Sequence, residues 1–578
     1  MAALDGWLGL SPQGGIVNAN LTSALHQYAL DNWPPHPALV TAMVDGVLAT
    51  HWPVSIAPRS LDGWRAAGFV DDFYNRIHIR PSPLALGNVL ETQTTNLTVW
   101  NAYFVPQTLT GISGIEEGIL LAAPAGVGGP PSVFAALQEQ DWQISVTRDG
   151  PGRIDVLLSW LFAAAPTSTL RITGLRLVAW SFVPNWADGV LERLSWKTDV
   201  LTSGSGAEQR RALRLAPRRS FEAKALLEGR ERALLDLTLA GWGARVWALP
   251  VWPDVQQLGA ALALGAVSVP CSTSGRDFVA GGVAMLIGAT AFDAETVEVL
   301  SVGTAALTLK RPTQRAWPAG TRLYPARSAQ LAQQPTLHRL TDRLAELDFV
   351  HRLVDASDWP AAAAPTSYRG APVFALKPDE SEDLTTTWQR LLLELDNGTG
   401  SPALTDTADL GLPVQGHRWV LGARAEQAVW RSLVYGLRGR QGVVWLPTHA
   451  DDLQLVATAT NVASTIDVAA VGYTRFAVGR PGRRDVRLEL SDGTVLHRRI
   501  TGGSEISADV ERLAIDTAPG VLLQPAGTSG VHVMRISYLQ LVRLDQDDIE
   551  LQHVTDADGV ATAQVVWRTL RDELELAA

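Results

Sequence analysis

Two stretches in the last two thirds of this chain spell nearly the same order of residues, and that internal echo restricts the fold more than any single motif. Glu208-Gln209-Arg210-Arg211-Ala212-Leu213-Arg214-Leu215 is followed by a helical stretch and then Val246-Trp247-Ala248-Leu249-Pro250, with Asp254, Gln257 and Leu258 behind it. Trp388-Gln389-Arg390-Leu391-Leu392-Leu393-Glu394-Leu395 is likewise followed by a helical stretch and Val443-Val444-Trp445-Leu446-Pro447, with Asp451, Gln454 and Leu455 at matching offsets. The second copy is longer, and Asn397–Gly416, rich in Gly, Pro, Thr and Asp, is the loop that takes the extra residues. Fainter echoes follow: Phe278 with Phe476, Thr296–Val299 with Thr494–Leu496, Ala306–Leu309 with Arg512–Ile515, and Leu347–His351 with Ile549–His553. A period of about 200 residues is too long for a solenoid or propeller unit of about 20–50. Two whole domains in tandem fit it.

The 578 residues leave room for roughly four domains at about 150 residues each. Apolar content of 46% and charged content of 19% exclude wholesale disorder. A formal charge of −11 argues against stable nucleic-acid binding, which needs a basic face. No apolar run of about 18 residues is present, so no membrane span is expected. Met1–Pro12 lacks the basic region and apolar core of a signal peptide, which points to assembly in a cytoplasm.

Residues 1–72 alternate short helical patterns with Pro and Gly breaks, as an N-terminal arm packed on a neighbour would. Between 73 and 188 the pattern becomes strands: Ile77–Pro81, Leu84–Gly87, Thr94–Ala102, Trp142–Val146, Arg153–Leu157 and Leu170–Gly174, with turn signals between them. The spacing predicts an immunoglobulin-like β-sandwich. Residues 189–368 and 369–578 form the two repeat units. Each is expected to open with a strand (Leu194-Ser195-Trp196, or Pro372 to Leu376), continue into a helix (Phe221–Leu239, or Arg424–Leu437), and close on a strand ending Leu-Pro. A small β-barrel, about 265–330 in one and about 461–544 in the other, is inserted or appended. The fold class is therefore mainly β with some α.

Individual candidates for chemistry are weak. Gly204-Ser205-Gly206 lacks the spacing and the strand-to-helix setting of a nucleophile elbow. Asp556-Ala557-Asp558-Gly559 opens like a calcium loop but lacks the later ligands. Asp545, Asp547, Asp548 and Glu550 could flank a glycosidic bond, although a strand-like run presents such residues to solvent. His351 and His553 lack a second ligand at metal spacing and are expected to be hydrogen-bonded structural residues. The lone cysteine, Cys271, permits no internal disulfide and reads as a small buried or half-buried residue. No catalytic, cofactor or metal site is expected.

Interface chemistry is better represented. Of 48 basic residues only Lys197, Lys224, Lys310 and Lys377 are lysines, and guanidinium forks suit fixed ion pairs where surfaces meet. The 20 tryptophans belong to the residue type enriched at such surfaces or in cores. Trp242, Trp247, Trp252 and Trp445, with Arg210 and Arg390 of the Gln-Arg echo, are therefore the subunit-interface candidates. An exposed aromatic platform that stacks on sugars is the competing reading of the tryptophans.

Several stretches together resemble tail-tip and baseplate proteins of long-tailed bacteriophages, in particular distal tail proteins. They are Pro83–Val89, Val99–Tyr103, Glu192–Val200, Glu208–Arg211, and Trp247–Trp252. The resemblance implies a structural ring around the tail axis of the virion, contacting tail tube, tape measure and tail-tip hub proteins. Distal tail proteins carry one sheet-plus-helix unit, whereas two are expected here. Three chains would then approximate six-fold symmetry and adapt a hexameric tube to a trimeric tip. A glycan-binding adhesion module, or a cell-wall hydrolase using Asp547 and Glu550, are the alternatives.

Overall fold

The computed structural model describes residues 73–575 except 91, 148–149, 242–244, 356–358, 360–365, 382 and 557–558. The expected N-terminal arm, 1–72, lies outside the described residues. The chain is mainly β, and it divides into two compact units. One holds the described residues up to Val178 with Arg245 and Val246; the other starts at Ala179.

In the first unit, period-two burial makes the strands. Arg153–Phe162 buries every second residue on one face, as a strand with one wet side must. The strands are β1 (Ile77–Arg80), β2 (Leu84–Val89), β3 (Gln93–Asn101), β4 (Gln107–Ser113), β5 (Ile119–Ala122), β6 (Ser132–Phe134), β7 (Glu139–Val146), β8 (Arg153–Phe162) and β9 (Ser168–Ala179). One sheet runs β1-β3-β7-β5. The other runs β2-β9-β8-β4-β6, with β2 and β9 parallel. Leu97, Val99 and Ile144 of the first sheet share a core with Leu109, Val156, Trp160 and Ile172 of the second.

The second unit begins with β10 (Val190–Ser195), a hairpin of β11 (Thr198–Thr202) and β12 (Glu208–Ala212), and β13 (Arg218–Glu228). Helix α1 (Arg230–Ala240) and β14 (Val246–Pro250) follow. Then come β15 (Gln256–Gln257), β16 (Ser268–Pro270), β17 (Val283–Ile287), β18 (Ala294–Val302), β19 (Ala306–Leu309), β20 (Arg322–Leu331), β21 (Thr336–Arg339) and β22 (Leu344–Leu353). After the two-residue strands β23 (Ser367–Tyr368) and β24 (Ala371–Pro372), the chain forms β25 (Thr386–Gln389), a hairpin of β26 (Leu392–Leu395) and β27 (Ala403–Asp406), and β28 (Leu412–Leu421). Helix α2 (Arg424–Leu437) leads to β29 (Val444–Pro447). The remaining strands are β30 (Thr465–Ala469), β31 (Asp485–Leu490), β32 (Val495–Glu505), β33 (Val510–Ile515), β34 (Val533–Leu544), β35 (Asp548–His553) and β36 (Ala561–Thr569).

The ladders of 190–353 recur in order in 386–569. β10 pairs with β13 as β25 with β28. β13 pairs with β22 as β28 with β36, and β21 with β22 as β35 with β36. β16–β19, β18–β19 and β17–β20 have partners in β30–β33, β32–β33 and β31–β34. Even the register shift between Val299 and Ser301 has its counterpart between Ile500 and Gly502. Two small cores lie in these strand clusters, one around Val269, Leu286 and Trp317, the other around Ile466, Leu488 and Leu523.

Two local expectations are corrected. Phe221–Glu228 is strand, not helix: β13 is paired on both sides and buries Phe221, Ala223, Ala225 and Leu227 in alternation, so tertiary pairing overrides helix-favouring Ala, Leu and Glu. The strand that opens the second half is β25, while beyond Ala371–Pro372 the run to Leu376 makes only a bridge from Val373 to Trp445.

Candidate assembly interface

The two halves of the second unit meet edge to edge. β10 lies antiparallel to β35, from Val190 opposite His553 to Ser195 opposite Asp548. This joint completes an antiparallel series β21-β22-β13-β10-β35-β36-β28-β25. On one face Leu194 and Trp196 are sunk into the core of the other half, among Trp430, Tyr435, Ile549 and Leu551. Trp196 meets the Tyr435 ring edge-on at 5.5 Å. Burying an aliphatic side chain such as Leu194 contributes about 2 kcal/mol.

Two residues from Leu194 on the same buried face of β10 sits an ion cluster. Glu192, fully buried, accepts from Arg219 Nε at 2.6 Å, Arg431 Nη2 at 2.7 Å and pairs with His553 Nε2 at 2.8 Å. Burial by itself would raise this carboxyl, yet Arg219, Arg431 and His553 hold it well below its ordinary value. Arg219 also binds Asp277, which in turn binds Arg327. Arg219 and Asp277 belong to the first half, Arg431 and His553 to the second, so the cluster straddles the joint. Breaking such a cluster by removing one partner typically costs about 3–5 kcal/mol.

The β11–β12 hairpin carries the joint further. Arg543 of β34 holds Glu208 bidentately at 2.6 and 2.7 Å, and Arg210 donates to Glu208 at 3.1 Å and to the Gln441 carbonyl at 3.1 Å. Asp547 accepts from the Thr198 backbone at 2.7 Å and the Arg440 backbone at 3.0 Å. Gly439, at φ 71°, leaves no room for a Cβ, which would stand 2.7 Å from Trp196 Cβ. Arg424 at the start of α2 reaches Asp254 at 3.3 Å in the first half.

The interface candidates separate accordingly. Trp247, Trp252 and Trp445 are wholly buried within the chain, which removes them as surface anchors and as a sugar platform: their rings fill the core, Trp247 edge-on to Trp180 and Trp445 edge-on to Tyr368. Arg210 serves the joint inside the chain. Arg390 is exposed and paired with Asp406 at 2.7 Å. Trp242 lies outside the described residues. The echo itself was misaligned, since Gln209-Arg210 sits on β12 whereas Gln389 ends β25, the counterpart of β10.

The weaker chemical candidates also find places. Asp547 is bound as described, Asp545 pairs with Arg568 at 2.7 Å, Glu550 with Arg193 at 3.3 Å, and Asp548 with the Ser195 hydroxyl. Asp547, Asp548 and Glu550 thus serve the β35 joint, while Asp545 is held within the second half. His553 is hydrogen-bonded, as expected, but His351 is not: neither ring nitrogen has a partner, and burial against Trp180 lowers it to about 3. Ser205 lies in the β11–β12 turn, its carbonyl accepting from Arg571 at 2.7 Å. Cys271 is half-buried, and burial pushes its thiol up to about 11. Among the described residues no group of His, Cys, Asp and Glu is arranged to hold a metal, and no helix is long and apolar enough to cross a membrane. Sequence reasoning missed Arg219, Arg431, Gly439 and Arg543; the arginine bias was the only signal for the three arginines, and it gives no positions.

No family model matches the chain, and no curated protein matches it. Among solved structures it is similar to the secreted serine protease VesC from Vibrio cholerae, at 14% identity and a TM-score of 0.15, over 45% of this chain and 52% of that one. The chain therefore spans about half the length of that structure, and a likeness this slight carries no argument.

Proposed function

We propose that this chain is a structural subunit of a bacteriophage tail tip or baseplate, in which an immunoglobulin-like sandwich precedes two copies of a distal-tail-like sheet-plus-helix unit with an appended small barrel. The observation that carries the reading is the recurrence of one ladder order on both sides of the β10–β35 joint. Such a series presents equivalent wedges side by side, as a collar around an axis requires. The stretches that resemble distal tail proteins fall partly on that joint: Glu192, Trp196 and Glu208–Arg211 all lie there. In this reading three chains form a ring in the virion tail, adapting six-fold tube to three-fold tip, with tail tube, tape measure and hub proteins as partners.

The test is negative-stain imaging and light scattering of the purified full chain, alone and mixed with a tail tube protein of the same virus. Rings that cap tube ends are expected. Compact monomers that ignore the tube, or that cleave cell-wall glycan, would overturn the reading.

A further inference from the structure

Among the described residues the antiparallel series ends in two edges without a further strand neighbour, β21 and β25. Their register follows from the internal pairings. Arg352 lies opposite Gln330 and Ser220 as Arg568 lies opposite Arg543 and Val414. Stepping outward from these anchors sets Arg193 on Thr387 and Leu194 on Trp388. It likewise sets Glu550 on Thr336 and Leu551 on Leu337. Hence β25 is the counterpart of β10, and β21 the counterpart of β35, but among the described residues neither has the neighbour that β10 and β35 give each other.

We propose that β25 pairs head to tail with β21 of a second copy of this chain, in the register of the β10–β35 ladder. Thr386 then faces Leu337, Leu384 faces Arg339, and Trp388 lies beside Pro335. The backbone is already oriented for it. Gly416 N–H donates to the Thr385 carbonyl at 3.1 Å and Leu340 N–H to the Leu344 carbonyl at 3.0 Å, so by alternation Thr386 and Trp388 on one edge, and Leu337 and Arg339 on the other, aim their peptide groups outward. Pro335, in phase with Leu337 and Arg339, has no N–H to offer Trp388, so the donors of β21 in this ladder begin at Leu337.

The side chains agree. All of β25 is exposed, and Trp388 is 56% exposed, covered in part by the Arg483 guanidinium 5.0 Å from its ring, whereas its counterpart Leu194 is fully buried. Directly after β25, the β26–β27 hairpin leaves Leu392, Leu393, Leu395 and Leu404 exposed. Its counterpart, the β11–β12 hairpin, lies across the neighbouring half through Glu208 and Arg543. A second copy gives the leucine hairpin the same seat on its first half. An open edge flanked by such apolar surface is otherwise a site of uncontrolled aggregation.

This inference rests on the ring reading, and its test separates the two. Thr386→Pro removes one outward N–H while leaving the bonds of Thr385 and Thr387 to β28; it is expected to abolish rings with an unchanged circular dichroism spectrum and melting temperature. Trp388→Ala is expected to weaken assembly on the order of tenfold or more. In a Cys271→Ser background, Thr385→Cys with His338→Cys places two thiols at facing positions of adjacent copies, and oxidation is expected to give covalent dimers and trimers. A control pair of Thr387→Cys with His338→Cys, two residues out of register, is expected to give far fewer. Rings that survive Thr386→Pro, with no register-specific crosslink, overturn the edge pairing and leave the ring reading standing. A wild-type chain that stays monomeric and yields no crosslink overturns both.

Discussion

Glu192 is reached by Arg219 from its own half and by Arg431 and His553 from the other, so its charge is compensated only when both halves are in place. Glu192→Gln leaves the two guanidiniums under-compensated in a buried site and is expected to cost about 3 kcal/mol or more in urea unfolding. Gly439→Ala acts through shape: a Cβ at φ 71° runs into Trp196 and Asp547, and a comparable loss of stability is expected, while Gly436→Ala, in α2 with open space, is the harmless control. Acidification tests another kind of group. The folded His351 ring titrates at about 3, below its unfolded value of about 6.5, so the unfolded chain binds the extra proton and stability falls as pH drops below about 6.5. Each pH unit in that window costs about 1.4 kcal/mol for one such ring. Glu192 works in the same direction at lower pH, losing its stabilisation as pH falls through its depressed folded value. Calorimetry from neutral to mildly acid pH is expected to show a falling melting temperature, and His351→Phe a shallower fall.

At the scale of elements, alternation made the strands of the first unit legible, and α2 falls on Arg424–Leu437 as its apolar spacing requires. β13 was illegible for a physical reason: Ala223, Lys224, Ala225 and Leu226 favour helix locally, and only the flanking strands β10 and β22 make them a ladder. The same limit hid the true register of the repeat. Identities such as Gln-Arg, or the His351 and His553 endings, lie on non-equivalent strands, whereas Ala306–Leu309 and Arg512–Ile515 do occupy matching ladders. The joint was less legible than the fold, since the residues that make it lie far apart in the chain. The leucine hairpin offers a prediction at this scale. Leu393→Glu with Leu395→Glu touches exposed side chains only, so the melting temperature is expected to hold while light scattering shows loss of rings.

For the whole molecule, the two kinds of joint differ in chemistry. The joint within the chain is charged and buried, whereas the open edges are lined by Trp388, Leu337 and the leucine hairpin. Assembly between chains is therefore expected to survive, or strengthen, between about 0.1 and 1 M sodium chloride, because salt screens charges but not apolar burial; sedimentation across that range reads it directly. The mass of the closed particle is expected to be about three times the 62.1 kDa of one chain. Because two wedges are covalently one chain, β10 finds β35 at high local concentration, and in the proposed ring β21 and β25 are the edges that meet another copy. Any closed collar made of whole chains must then hold an even number of wedges, so the commonest miscounts in building a circle, one segment short or one over, have no way to form.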